Sequence, residues 1–462
     1  VSHDAKSRTA HGAGSKDGRP HLVIVGGGFG GLTTAQAAAR LGARITLVDR
    51  TNHHLFQPLL YQVATAGLTA PDIAAAIRSV LADRDDVTVL LDEVVGVDLD
   101  AKTVRLANAS DKTLAYDYLV IAAGARTNYF GHDDWSERAP GMKSISDALE
   151  IRKRVLLSFE QAETTRDEKQ REKLLTFAIV GGGPTGVELA GAVAELGRFV
   201  LASDFRHIRP QASRVVLIEA GPRLLPAFAP DLSDSARLEL AGFGVDVRLQ
   251  TRVEGLDADK LTLRSEDGTL DDLPAATVVW AAGVKPVPLA KALGLPTAKD
   301  GRVKVARDCS LPGHPDAFCI GDMAYLEGRD GKPLPGVSPV AMQQGRYVVK
   351  AIARRMDGQL AGDQGDSERR AFHYLDKGIM ATIGRKSAVV QTGPIKMSGL
   401  VAWLAWLGVH IYYLIGFRNR LVVLFSWAWS YLTYRRGARV ISEPDVSPTA
   451  DAQAEQSRHV AS

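Results

Sequence analysis

The chain has 462 residues, is 45% apolar and 24% charged, and carries a formal net charge of +3. This composition fits a globular protein of two or three domains and excludes a disordered or fibrous chain; the near-balanced charge gives no case for nucleic acid. Cys309 and Cys319 are the only cysteines, no C-x-x-C or C-x4-C pair follows the first glycine-rich loop, and the eleven histidines lack ligand spacing. Neither disulfide redox chemistry nor a metal site is expected.

Residues 1–20 are polar and lack an apolar core, so no secretory signal is expected and the bulk of the protein is expected to stay in the cytoplasm. The apolar run Leu22 to Val25 then predicts a strand, followed by Gly26-Gly27-Gly28-Phe29-Gly30-Gly31 and an alanine-rich helix over Leu32 to Leu41. A second strand, Ala43 to Val48, ends in Asp49. Strand, glycine loop, helix and acid in this order form a pyrophosphate cradle at a helix N-terminus, with a carboxylate for a ribose 2'-hydroxyl. Tyr116 to Gly124 reads as another buried strand ending at a glycine turn.

The charged stretch Glu163 to Lys173 predicts a solvated helix face or linker. Immediately beyond it the pattern repeats: strand Phe177 to Val180, loop Gly181-Gly182-Gly183-Pro184-Thr185-Gly186, helix Val187 to Leu196, and strand Val215 to Ile218 ending in Glu219. A lone loop of this type is weak evidence, but two copies in full context imply two dinucleotides. Acids at both strand ends disfavour a 2'-phosphate and point to FAD at one unit and NADH at the other; Arg223 leaves room for NADPH. Thr277 to Gly283 closes the second unit, and Asp316 to Asp322 supplies a late strand for the first, so the second unit is inserted into the first.

A loop over Gly328 to Pro339 precedes a helix over Val340 to Met356, an exposed loop over Gln359 to Glu368, and a strand pair, Arg370 to Leu375 and Ile379 to Ile383, turning at Asp376-Lys377-Gly378. The tail differs in kind. Gly399 to Phe417 is 19 residues without formal charge, Leu421 to Tyr434 adds a second apolar run, and Lys396 to Ser442 holds six Lys/Arg and no acid. Three readings compete: a transmembrane hairpin, a pair of interfacial helices, or a buried dimer interface. The second run is short for a span, and Trp403, Trp406, Tyr412, Tyr413, Trp427, Trp429, Tyr431 and Tyr434 suit headgroup depth. Interfacial anchoring is therefore favoured, with Arg418, Arg420, Arg435, Arg436 and Arg439 reaching toward anionic lipid.

From Leu22 to Ile441 the sequence resembles the type II (non-proton-pumping) NADH:quinone oxidoreductases, within the two-dinucleotide-binding-domain flavoproteins. The resemblance is carried by Asn52 to Ala64 (NHHLFQPLLYQVA), Val180 to Glu188, Cys319 to Met323 (CIGDM), Lys377 to Arg385 (KGIMATIGR) and the aromatic tail. It implies an α/β fold of two Rossmann-like dinucleotide-binding domains of the glutathione-reductase-like kind, the second inserted in the first, plus C-terminal membrane-anchoring helices. The expected division is a polar tail over 1–20, an FAD-binding domain over 21–144 and 288–356, an NADH-binding domain over 145–287, strands and anchoring helices over 357–442, and a flexible tail over 443–462.

By the same resemblance, cofactor binding falls to Gly26, Gly28, Phe29, Gly30, Gly31, Asp49, Arg50, Gln62, Ala123, Gly124 and Asp322 for FAD, and to Gly181, Gly183, Thr185, Gly186, Glu219 and Gly283 for NADH. Glu188 and Lys377 are the candidate catalytic residues, delivering protons to the reduced flavin and the quinone; a helix-terminal acid and a solvated turn lysine are the plain readings of the same residues. Gln57, Tyr61 and Gln343 border the quinone path. Pro339 stands where the family has the first glutamine of an A-Q-x-A-x-Q motif. The resemblance further implies ubiquinone or menaquinone as acceptor, a homodimer, and peripheral attachment at the cytoplasmic face of the inner (plasma) membrane without proton pumping.

Other readings share parts of the pattern. A reductase of ferredoxin or rubredoxin would not need the tail, a sulfide:quinone reductase would need reactive cysteines near the flavin, and a membrane-bound NADH-responsive binding protein would show the same sites without turnover.

Overall fold

Five consecutive buried residues, His21–Val25, four of them apolar, make a central strand of a six-stranded sheet. The computed structural model describes residues 18–110, 112–358, 371–433 and 437–441. The polar tail before residue 18, the loop Gln359 to Glu368, Arg435, Arg436, the side chain of Tyr431, Tyr434 and the tail 443–462 lie outside the described residues. The central strand pairs in parallel with Arg44–Asp49 on one side and Tyr118–Ile121 on the other. Val87–Leu91 extends the first edge. On the opposite side His314–Cys319 lies parallel to Tyr118–Ile121, from nearly two hundred residues later in the chain, and the short strand Ser310–Leu311 completes that edge antiparallel to it.

The intervening sequence builds a second, four-stranded parallel sheet in the order Val245–Arg248, Arg214–Ile218, Thr176–Val180, Thr277–Trp280. Strands buried on both faces read as continuous Val/Ile/Leu runs, which is why both sheets were visible in the sequence. A two-stranded ribbon, Ala125–Thr127 against Val284–Pro286, joins the two units antiparallel.

The charged stretch around Glu163 to Lys173 is two helices, Ile145–Thr164 and Glu168–Leu174, each with its own cap. Ser144 forms a reciprocal capping box with Asp147, and the Asp167 side chain accepts from Lys169 and Gln170. Helix Ser338–Met356 begins two residues earlier than its apolar periodicity suggests, because Pro339 occupies the first turn, where a missing N–H costs nothing.

The expected strand pair across Asp376-Lys377-Gly378 does not form. Ile379–Gly384 pairs forward with Ser387–Thr392, turning at Lys386 with a φ of 61°, and Ser387–Thr392 pairs in turn with Ile395–Ser398. Residues 371–378 are irregular. The Gln343 side chain bonds both the N–H and the C=O of Leu375 at 2.9 Å, taking the place of a partner strand.

The tail makes two helices, Gly399–Tyr413 and Phe417–Thr433, broken at Gly416 with a φ of 89°. Among the described residues no helix is long and apolar enough to cross a membrane. One face of each packs inward: Ala402, Trp403, Trp406 and His410 from the first, Val423 and Trp427 from the second, with the Trp406 and Trp427 rings 5.5 Å apart. The outer faces remain apolar and exposed, with Leu400, Val401, Leu404, Phe417, Leu424, Phe425 and Trp429 facing outward. Of the arginines expected at lipid, Arg420 instead caps the first helix through the carbonyls of Leu414 and Tyr412, and Arg439 pairs with Asp204. Nearby carbonyls capture the first guanidinium and a carboxylate distant in the chain the second; Arg418 is exposed.

Candidate active site

The first glycine loop works by close approach. Gly26 has a φ of 100°, and a side-chain carbon there would lie 2.4 Å from the Ala122 carbonyl oxygen; at Gly31 it would lie 1.7 Å from the Gly26 carbonyl. Only hydrogen fits at either place, and the helix Phe29–Ala37 therefore starts tight against its strand. Gly28 faces open space, and no side chain caps the helix start or puts an acid in its first turn. The second loop repeats this: Gly181 has a φ of 113°, a carbon on Gly186 would meet the Gly181 carbonyl at 1.8 Å, Gly183 is open, and helix Pro184–Glu195 is uncapped by any side chain.

The paired acids do more than wait for a ribose. Asp49 accepts from the Gly27 N–H at 2.5 Å through one oxygen and from Thr51 through the other. Glu219 accepts from Gly182 and Gly221, each at 2.6 Å. Each carboxylate thus fixes its own glycine loop. Arg223, the residue that left room for a 2'-phosphate, donates instead to the carbonyls of Phe228 and Pro226.

A cleft of about 1550 Å³ joins the two units and the tail. It exceeds the ~300–1,000 Å³ typical of a small-molecule pocket and has room for more than one ligand. Its walls bring together Gly26, Gly28, Phe29, Gly30, Asp49, Arg50, Gln57, Tyr61, Ala123, Gly124, Thr185, Glu188, Asp322 and Lys377 from the expected set. Gly31, Gly181, Gly183, Gly186, Glu219 and Gly283 do not line it. Gly31 and Gly186 act by packing, and Gly283 abuts the Phe130 ring, where a side-chain carbon would lie at 2.7 Å.

Two glutamines turn elsewhere than expected. Gln62 accepts from the Trp427 indole N–H at 2.7 Å and donates to the Tyr61 hydroxyl at 2.8 Å, so it ties the last helix to the cleft wall without entering the cleft. Gln343 is held by Leu375 as described, and its neighbour Gln344, 1% exposed, accepts from the Gly321 N–H at 2.8 Å and fixes the turn that carries Asp322. A helix turns about 100° per residue, so adjacent glutamines cannot share a face, and the four-residue spacing Val340, Gln344, Val348, Ile352 is the signal in the sequence that puts Gln344 on the buried side.

Glu188 reaches the cleft from the first turns of helix Pro184–Glu195 and has one hydrogen-bond partner among the described residues, the Thr382 N–H at 3.4 Å. Half-buried at the cleft wall with so little compensation, its carboxyl is pushed up to about 8 by burial, the weak Thr382 bond opposing. Lys377 lies on the irregular segment before Ile379–Gly384 and donates to the Tyr413 hydroxyl at 3.0 Å. His410, assigned no role from the sequence, also lines the cleft, 7% exposed. Burial holds its imidazole down at about 4. Cys309 and Cys319 are buried away from the cleft, the Cys319 thiol pushed up to about 12 by burial.

These features fit FAD. Two open glycine positions at uncapped helix starts suit pyrophosphates, and Asp322 lines the cleft with no donor among the described residues, an acceptor matched to a ribityl hydroxyl.

The sequence family described as pyridine nucleotide-disulphide oxidoreductase matches residues 20–345. The chain is 44% identical over 431 residues, 92% of its length and 91% of the relative's, to the type II NADH:quinone oxidoreductase Ndh of Mycobacterium tuberculosis. It is 43% identical to that organism's type II NADH:quinone oxidoreductase NdhA, over 92% of this chain and 90% of the relative. The structure of NDH2 from Plasmodium falciparum in complex with NADH shares the fold, with a TM-score of 0.81 over 92% of this chain and 100% of that one at 20% identity. One glycine cradle lining the cleft and a second whose Pro184 and Thr185 reach its wall, an aromatic tail at the other end, and relatives matched over nearly their whole length place this chain in the type II NADH:quinone oxidoreductase family.

Proposed function

We propose that this protein oxidises NADH and passes the two electrons to ubiquinone or menaquinone within the one cleft, at a membrane surface and without moving protons across it. The observation that carries the reading is the cleft itself. It runs from the first glycine loop and from Pro184 and Thr185 of the second, past Glu188, Asp322 and Lys377, to Val409, His410 and Tyr413 on a helix whose outer face is apolar and exposed. A lipid-soluble acceptor entering along that helix meets a nucleotide site built for a water-soluble donor.

FAD held by the first glycine loop, Asp49 and Asp322 would supply the redox chemistry between NADH and the quinone. The chain's own residues bind, orient and protonate. Gly26, Gly28, Phe29, Gly30 and Gly31 form the first pyrophosphate cradle, with Asp49, Arg50, Ala123, Gly124 and Asp322 around it. Gly181, Gly183, Thr185 and Gly186 form the second, and Glu219 selects NADH by repelling a 2'-phosphate. Glu188 holds its proton at neutral pH and can release it at the carboxyl, while the Lys377 ammonium stands beside the Tyr413 hydroxyl. Gln57 and Tyr61 border the quinone path; Gln62 acts on it through Tyr61.

The two aromatic helices lie in one leaflet of the inner membrane at its cytoplasmic face, apolar side chains in the acyl boundary and Arg418 toward the headgroups. A second copy of the chain beside the first, covering part of the exposed apolar area, completes the assembly. The test is steady-state NADH oxidation by purified protein on phosphatidylglycerol-containing vesicles with a short-chain quinone. NADH consumption matched by equimolar quinol, with no change in vesicle lumen pH, supports the reading. Consumption that requires an added ferredoxin and ignores quinone would replace it with the protein-acceptor alternative.

A further inference from the structure

His410 lies in helix Gly399–Tyr413, four residues after Trp406, and its Nδ1 is 2.7 Å from the Trp406 carbonyl oxygen. A carbonyl only accepts, so Nδ1 carries the hydrogen and the tautomer is fixed. The ring is stacked on Trp406 at 4.2 Å and meets the edge of Phe56 at 6.0 Å, which fixes its plane as well. Nε2 is therefore a bare lone pair. No group among the described residues donates to it, and it is not sealed from solvent, unlike the buried unpartnered indole nitrogen of Trp406 next to it. Since His410 lines the cleft, that lone pair belongs to the cleft. Burial keeps the ring neutral, which preserves it as an acceptor.

One turn on, the Tyr413 oxygen accepts from Lys377 at 3.0 Å, so its own O–H is directed elsewhere as a donor. Val409 and Phe56 fill the wall around His410. This end of the cleft thus offers, in an apolar setting, one fixed acceptor and one oriented donor.

We infer that His410 accepts a hydrogen bond from a hydroxyl of the reduced quinone, and so makes this end of the cleft prefer quinol to quinone. The inference rests on the function proposed above. A quinone carbonyl brought to Nε2 would set two acceptors face to face and leave both unpaired, whereas a quinol hydroxyl satisfies them. His410 is then a specificity residue acting on the product: it sets how strongly quinol competes with incoming quinone, and thereby how far turnover slows as the quinone pool becomes reduced.

The test uses the FAD-loaded, detergent-solubilised protein with a short-chain benzoquinone and its quinol. His410→Phe keeps a ring on Trp406 and removes the acceptor. Bleaching of the flavin by NADH, which needs no quinone, reports that the variant is folded and loaded. The quinol inhibition constant is expected to rise about tenfold while the quinone KM stays within about twofold. His410→Gln, which restores an acceptor oxygen, is expected to recover most of the inhibition. In the native protein, which needs no variant to fold, quinol should inhibit about tenfold more strongly than its dimethyl ether. Inhibition constant and KM moving together, or neither moving, or the ether inhibiting as well as the quinol, would each overturn the inference. A native protein that binds NADH but never reduces quinone would overturn the proposed function first.

Discussion

Glu188 offers a quantitative handle, because its burial predicts a pH dependence that a glutamine cannot show. With the carboxyl titrating at about 8, it holds its proton in a ratio of about 10 to 1 at pH 7 and about 1 to 10 at pH 9. If this proton is the one delivered in quinone reduction, the quinone half-reaction falls about tenfold between those pH values in the native protein. Glu188→Gln should be slower at pH 7, by about 100-fold for a lost general acid, and flat across the window. The same group has a stability face. Its folded value lies above the unfolded 4.5, so the folded state binds the extra proton; stability is complete below 4.5 and declines as pH rises toward 8. The glutamine variant should lose that decline. Stopped-flow reoxidation of NADH-reduced protein by quinone, read from pH 6 to 9.5, measures the first, and thermal denaturation over pH 4 to 9 measures the second. A native profile with no fall between pH 7 and 9, or a glutamine variant that follows the native curve, would refute the reasoning.

Gly31→Ala should abolish FAD loading, since the added carbon would lie 1.7 Å from the Gly26 carbonyl; a purified variant with a full flavin spectrum would show that the loop yields. Trp427→Phe breaks the bond to Gln62 and strands a polar group, a cost of about 1–3 kcal/mol. Amide exchange over 417–433 should quicken and the quinone KM should rise, and unchanged exchange would mean the indole bond does not hold the helix. Phe425→Asp with Trp429→Asp replaces two exposed apolar residues, 69% and 60% accessible, and should release the protein from anionic vesicles in flotation assays while NADH still bleaches the flavin; undiminished flotation would move the membrane contact elsewhere.

The nucleotide-binding framework was legible because backbone geometry dictates residue type there. Gly26 and Gly31 admit nothing larger, and Asp49 ends a strand whose neighbours are continuous apolar runs. What escaped depended on long-range contacts. The strand expected over Arg370 to Leu375 lost its partner to the side chain of Gln343, and the first apolar run, read to Phe417, ends its helix at Tyr413 ahead of Gly416, whose left-handed conformation no hydropathy count reveals. Gln62 and Gln343 carry the right chemistry for a ligand site but spend it on Trp427 and Leu375. His410 was hidden for the opposite reason: as the lone ionisable group in an aromatic run it invited no role until Trp406, Phe56 and the cleft were placed around it.

The account stands on one cleft serving both substrates in turn, and anaerobic stopped-flow absorbance tests that most directly. Mixing the FAD-loaded protein with NADH should bleach the flavin, and a second mix with a short-chain ubiquinone or menaquinone should restore its colour with one quinol formed per flavin. Bleaching that quinone leaves unreversed would contradict the claim and leave the apolar end of the cleft without its substrate.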